Sequence, residues 1–144
     1  VAYVRTADIL FESGRVQEAM DLYENGIKDY GSDGGCEPDT DNCWSVAESA
    51  EILAKKEVTS GAVKRLARIA QSTRDKAIRE IALFWLGWVY QVRVGEEREA
   101  VQAYQRLLKI SPRFFERGME GTKEWETATD EARRFLSKHG LKFD

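Results

Sequence analysis

Apolar residues recur at intervals of three and four along most of the chain, which is the pattern of amphipathic helices. The first such stripe consists of Tyr3, Ala7, Leu10 and Phe11. A second stripe runs from Val16 to the region of Gly31, and about two residues around Gly14 separate the two. Such a short connection joins antiparallel neighbours, so the pattern predicts a helical hairpin at about residues 1–30.

Two more hairpins and a final helix are predicted beyond a polar segment. Residues 31–43 contain Gly, Asp, Ser and Pro without an apolar stripe, which predicts a long loop. Helical periodicity then predicts hairpins at about residues 44–73 and 76–111, and a C-terminal capping helix at about residues 122–139. Because no strand pattern interrupts this series, we expect the whole chain to form one all-α domain.

The third hairpin combines small and large residues at the spacing of a helical repeat. They are Leu83, Leu86, Gly87 and Tyr90 on its first helix, and Ala100, Tyr104 and Pro112 on its second. This pattern resembles the tetratricopeptide repeat family. Its small residues, Gly87 and Ala100, would let the two helix backbones approach closely, while the aromatic residues fill the space beside that contact. The turn around Gly95 is one residue longer than the family pattern.

The other two hairpins match the repeat pattern less completely. The matching positions are Tyr3, Ala7, Leu10, Ala19 and Tyr23 in the first hairpin, and Ala50, Leu53, Ala62 and Leu66 in the second. The resemblance implies that the hairpins stack as a short right-handed superhelix, with the last helix covering its exposed end. A plain helical bundle is the alternative fold.

The resemblance also implies a function and a site. It indicates a non-enzymatic scaffold or adaptor that binds a peptide or helix of a partner protein. Family ligands usually lie along the concave surface made by the first helix of each hairpin. Transferred to this chain, that groove consists of Arg5, Asp8, Glu12, Glu48, Glu51, Lys55, Phe84, Trp88 and Gln91. Trp88 has two interpretations, an aromatic contact in the groove or a residue of the core.

The charge of the chain bears on the class of partner. The formal net charge is −3 and the isoelectric point is about 5.4, which does not favour nucleic acid as a partner. Basic residues nevertheless gather locally, and Lys64, Arg65 and Arg68 share part of one helix face. They form either a solvated face or a patch by which a regulatory module of a larger assembly contacts an acidic partner or nucleic acid.

Little in the sequence supports catalysis or ligand chemistry. The only histidine, His139, lies at the end of the last predicted helix, and no Gly-rich phosphate loop occurs. We therefore predict no catalytic residue, no cofactor and no metal site. No apolar run approaches the roughly 20 residues that span a bilayer. The chain begins at Val1 without a methionine, which suggests a processed form or a piece of a longer chain.

Cys36 and Cys43 are the only cysteines, and both fall in the predicted loop. Two alternatives stay open. A disulfide between them would clip the loop and indicate an extracytoplasmic compartment, whereas two free thiols would fit the cytoplasm.

Overall fold

The structure, a computed structural model, describes residues 2–32, 41–117 and 123–141. Regular structure in these ranges is helical throughout, which confirms the all-α prediction. The α-helices are α1 (Ala2–Glu12), α2 (Val16–Ser32), α3 (Asp41–Lys56), α4 (Thr59–Ser72), α5 (Lys76–Trp88), α6 (Glu97–Ile110), α7 (Phe114–Arg117) and α8 (Lys123–Lys138). Within this part of the chain, no helix is long and apolar enough to cross a membrane.

The first six helices pack as three consecutive hairpins. α1 pairs with α2, α3 with α4, and α5 with α6. Each hairpin also packs against the next, since α2 contacts α3, α4 contacts α5, and the first helices α3 and α5 contact each other. The buried face of each helix carries the apolar stripe seen in the sequence, so one continuous core runs through the stack. This neighbour-to-neighbour packing is consistent with a helical repeat.

Helices α2 and α3 extend into both ends of the loop predicted at residues 31–43, because α2 ends at Ser32 and α3 begins at Asp41. The apolar stripe marks only the part of a helix that packs on a core, so it underestimates the hydrogen-bonded length. Residues 33–40 lie outside the described residues. Since Cys36 is among them, the choice between a Cys36–Cys43 disulfide and two free thiols also falls outside the described part of the chain.

Helix α5 continues as a π-helical segment at Val89–Val94. The segment ends at Gly95, which has a left-handed backbone (φ 77°) and donates its N–H to the carbonyl of Tyr90, five residues earlier. A π-helical turn holds one residue more than an α-helical turn. The π-helical segment therefore accommodates the extra residue that the sequence places between Tyr90 and Ala100.

The π-helical segment also positions a cation against the preceding hairpin. Arg93 Nη1 donates hydrogen bonds to the carbonyl oxygens of Ala54 (2.8 Å) and Glu57 (2.7 Å) at the end of α3. The last carbonyls of a helix lack partners within the helix and carry partial negative charge, so an arginine there satisfies both needs. Sequence reasoning did not single out Arg93.

Gly87 makes room for an aromatic ring. A Cβ atom at this position would lie 2.5 Å from Cε1 of Tyr104, which is closer than two carbons can approach. The Tyr104 ring is fully buried and packs on the rings of Phe115 (5.7 Å between centroids) and Phe135 (6.0 Å). In the structure, therefore, the small residue of α5 accommodates a side chain of α6, whereas the sequence analysis expected it to admit a neighbouring backbone.

Candidate functional site

The nine predicted groove residues lie on α1, α3, α5 and the π-helical segment after α5, and they differ in exposure. The exposed members are Arg5, Asp8, Glu12 and Glu48, the half-buried members are Glu51, Lys55, Trp88 and Gln91, and the buried member is Phe84. The groove is thus open at the α1 end and increasingly covered toward α5.

Carboxylates of α1 and α3 converge at the open end of the groove. The hydroxyl of Tyr23, on α2, donates a hydrogen bond to the carboxylate of Asp8. Burial raises the pKa of Tyr23 above its usual value, and the bond to Asp8 and the charges of Asp8, Glu48 and Glu12 raise it further. The charges of all three carboxylates thus act on one phenol, and this end of the groove is acidic.

An ion pair and two indole rings form the centre of the groove. Glu51 and Lys55 lie one turn apart on α3, and the Lys55 Nζ atom is 2.7 Å from Glu51 Oε2. The same Nζ atom lies 5.8 Å from the ring centroids of both Trp85 and Trp88 on α5. At this distance a cation is attracted to the face of an aromatic ring. Lys55 therefore connects α3 with α5. Trp88 packs on the core and remains partly exposed, and its contact with a partner stays a prediction.

Helix α8 lies across this central part of the groove. Trp125, in the first turn of α8, donates its Nε1–H to Glu51 on α3 (2.5 Å). Gln91, beyond α5, donates to the carbonyl oxygen of Glu131 in the middle of α8 (3.5 Å). Phe135, in the last turns of α8, packs on Tyr104 of α6. The contacts of α8 thus change along its length from α3, through the π-helical segment after α5, to α6, so α8 lies beside groove residues of the first hairpin helices. The sequence predicts that α8 covers the exposed end of the stack, and this stays a prediction.

The assignment of Phe84 to the groove is wrong. Its side chain is fully buried, and its ring lies 5.1 Å from Trp85, 5.7 Å from Phe114 and 6.2 Å from Phe115. The last two belong to α7, a short helix that follows α6, so the ring of Phe84 is enclosed by aromatic residues of its own chain. A signal was present in the sequence, because two adjacent phenylalanines shortly after Pro112 are typical of a buried segment.

The assignment of Arg65 to a basic surface patch is also wrong. Its side chain is only 9 % exposed and forms ion pairs with Glu57 (2.7 Å), Glu24 (2.8 Å) and Asp21 (2.8 Å). Arg68 is half-exposed but also pairs with Glu24 (2.8 Å). We refer to Glu24, Glu57, Arg65 and Arg68 as the ionic cluster. The carboxylates come from α2 and from the end of α3, so the periodicity of α4 alone could not reveal that they neutralise its arginines. Lys64 is exposed.

The ionic cluster shifts the titration of its carboxyl groups. Burial by itself would raise the pKa of Glu24, but hydrogen bonds from Arg68, Lys28 and Arg65 outweigh it and lower the pKa from 4.5 to about 2. Burial likewise opposes ionisation of Glu57, yet hydrogen bonds from Gln17, Arg65 and the Val58 N–H lower its pKa. Both carboxylates are therefore held in their charged form.

We expect acid to destabilise the fold through this cluster. A carboxyl whose pKa is lower in the folded state contributes stability that is present above its unfolded pKa of 4.5 and is lost as the pH falls toward 2. The urea midpoint, followed by circular dichroism, should thus fall continuously over this pH range. Glu24→Gln should show a shallower dependence than the wild type, and identical profiles for the two proteins would contradict this assignment.

Within residues 2–32, 41–117 and 123–141, no group of three or more His, Cys, Asp or Glu side chains could hold a metal ion. His139 lies at the end of α8, where its ring packs on Phe135 (4.4 Å) and its Nε2 atom is 3.6 Å from Glu97. The contact with Glu97 joins the end of α8 to the start of α6.

Comparison with known proteins supports the repeat pattern of the third hairpin. Residues 81–113 match the model of a protein family described as tetratricopeptide repeat. The matched range covers most of α5, the π-helical segment and α6. No curated protein and no solved structure matches the chain.

Proposed function

Because the chain carries a tetratricopeptide repeat at residues 81–113, which supports its assignment to that family, we propose that it is a non-enzymatic scaffold that binds a segment of a partner protein in the groove of its first helices. The family match itself indicates a protein–protein interaction module in general terms. The position of the groove and the nature of the partner are the steps that the proposal adds.

The observation that carries the proposal is the open end of the groove. Asp8 and Glu12 on α1 and Glu48 on α3 are exposed, Asp8 accepts a hydrogen bond from Tyr23, and the charges of all three carboxylates raise the pKa of that phenol, while Arg5 is exposed on the same helix as the first two. Carboxylates grouped on one surface attract a partner of opposite charge and select against acidic ones. We therefore expect the bound segment to carry more Lys and Arg than Asp and Glu.

The ionic cluster argues against the alternative surface on α4. Its arginines are already paired with carboxylates of the same chain, so little free positive charge is left there for an acidic partner or for phosphates. The groove remains the better supported surface.

Site-specific photo-cross-linking tests the proposal. A photoreactive amino acid replaces Glu12 or Glu48, which are exposed in the groove, or Lys64 or Arg106, which are exposed on the second helices α4 and α6. In the source cell, we expect covalent adducts with one partner protein from the two groove positions and few from the two control positions. Mass spectrometry of the adducts identifies the partner and its cross-linked segment. Equal yields from all four positions, or adducts only from α4 and α6, would contradict the proposal.

A further inference from the structure

We propose that the part of the groove beneath α8 is a docking site for an amphipathic helix, and that α8 is an internal occupant which a partner helix of similar apolar pattern replaces. This inference rests on the proposed function, because it concerns the covered half of the same groove. It adds that the partner binds as a helix. It also adds a means of regulation, because the partner helix competes with the chain's own α8.

The first argument is the overlap between the contacts of α8 and the predicted ligand contacts. Glu51 and Gln91 both belong to the ligand-binding groove that the family resemblance predicts. In the structure, Glu51 accepts a hydrogen bond from the indole of Trp125, and Gln91 donates one to the Glu131 carbonyl. Helix α8 thus uses polar groups that an external ligand of the groove would also use.

The second argument is the composition of the buried face of α8. Its buried residues are Trp125, Ala128, Thr129, Ala132, Phe135 and Leu136. They recur at intervals of three and four, as in helices that bind in grooves of other proteins. Small residues in the middle allow close approach, while aromatic residues near both ends provide large contacts. The opposite face is charged and exposed, so the rest of α8 adds little to recognition.

These features define the chemistry of the partner. We expect an amphipathic helix with a tryptophan at one end of its apolar face, small residues one and two turns later, and an aromatic residue about three turns later. The tryptophan would donate to Glu51, as Trp125 does. The contact from Gln91 goes to a main-chain carbonyl, which every helix has, so it contributes affinity without selecting a sequence.

Competition follows from the covalent connection of α8. A tethered occupant is present at a high effective concentration, typically millimolar for a short connection. A free helix of equal intrinsic affinity therefore binds the wild-type chain weakly. It binds more tightly once the contacts of α8 are weakened.

The experiment uses the full chain and a fluorescent synthetic peptide of residues 123–141 as the probe. By fluorescence anisotropy, Trp125→Ala in the chain should increase its affinity for this peptide by roughly tenfold or more, since the peptide keeps the tryptophan that the chain has lost. Glu126→Ala, an exposed change in the same turn, should leave the affinity at the wild-type value. A peptide carrying Trp125→Ala should show no such gain.

Two further variants keep the test decisive. If Trp125→Ala impairs folding by circular dichroism, Trp125→Phe retains the ring bulk while removing the N–H donor, and a smaller gain in peptide affinity is expected. Adding Glu51→Ala to either variant should remove the gain, because the peptide's tryptophan then lacks its acceptor. Folded variants that bind the peptide no better than wild type, or a gain that survives Glu51→Ala, would overturn the inference. A wild-type dimer in sedimentation would also overturn it, because α8 of a second copy would then be the occupant.

A negative result in the peptide experiment and a negative result in the cross-linking experiment reject different hypotheses. Adducts from Glu12 and Glu48 without a peptide gain would reject only the docking of a helix beneath α8. A peptide gain without adducts from those positions would reject the open end of the groove as the binding surface for the partner, and with it the function as proposed.

Discussion

Replacing Arg65 with alanine is expected to lower the free energy of unfolding by about 3–5 kcal/mol, the usual cost of removing one partner from a buried ion pair. The guanidinium pairs with Glu24 and Glu57, whose side chains are 4 % and 1 % exposed. Without Arg65, Glu57 would remain buried with less compensation. Most of the expected loss comes from these desolvated carboxylates, since the attraction of an ion pair is offset by the cost of removing its charges from water.

Urea denaturation followed by circular dichroism measures this effect. Lys64→Ala is the matched control, because it removes a neighbouring but exposed cation of the same helix, and we expect a change of about 0.5 kcal/mol or less. Combining Arg65→Ala with Glu57→Ala should cost less than the sum of the single changes, since the two side chains interact directly. A loss for Arg65→Ala as small as that for Lys64→Ala would show that the cluster does not hold the hairpins together.

Replacing Phe84 with alanine is expected to lower the free energy of unfolding by about 3–5 kcal/mol, as for other large core residues. The phenyl ring is fully buried between residues of α5, α6 and α7, including Tyr104 and Phe114. Its removal would lose the burial of the ring and leave a cavity that rigid aromatic neighbours fill only in part. The change should affect stability and not the chemistry of a binding surface.

The contrast with Glu48 makes this prediction specific. Both residues were assigned to the groove from the sequence, but Glu48 is exposed. Glu48→Ala should leave the urea midpoint almost unchanged and reduce cross-linking of the partner from Glu12, whereas Phe84→Ala should lower the midpoint strongly. If Phe84→Ala destabilised by less than about 1 kcal/mol, the ring could not have the buried position that the structure shows.

Much of the helical architecture could be predicted from the sequence, because amphipathic periodicity is a local property. Leu86, Gly87 and Tyr90, with Ala100 and Tyr104, indicated the third hairpin, and the family match covers the same residues. The extra residue near Gly95 was visible as a departure from the repeat pattern. That it produces a π-helical segment, which brings Arg93 to the end of α3, was not predicted.

The candidate site was predictable only in part. Exposure of Asp8, Glu12 and Glu48 agrees with a groove on the first helices, because repeat positions imply which face of a helix is free of its own hairpin. Burial of Phe84 and pairing of Arg65 depend on other segments. Phe114 follows a proline that ends the repeat pattern, and Glu24 lies 41 residues before Arg65.

The sequence by itself determined most of the helical segments, the apolar face of each of them, and the presence of one repeat at residues 81–113. These properties follow from spacing within a few turns of the chain. Only the tertiary structure decided which charges are neutralised and which part of the groove is open. Trp125 contacts Glu51 across 74 residues of chain, and no local pattern encodes such a contact. It arises because the packing of Phe135 on Tyr104 of α6 and the bond between Gln91 and Glu131 place the start of α8 near α3.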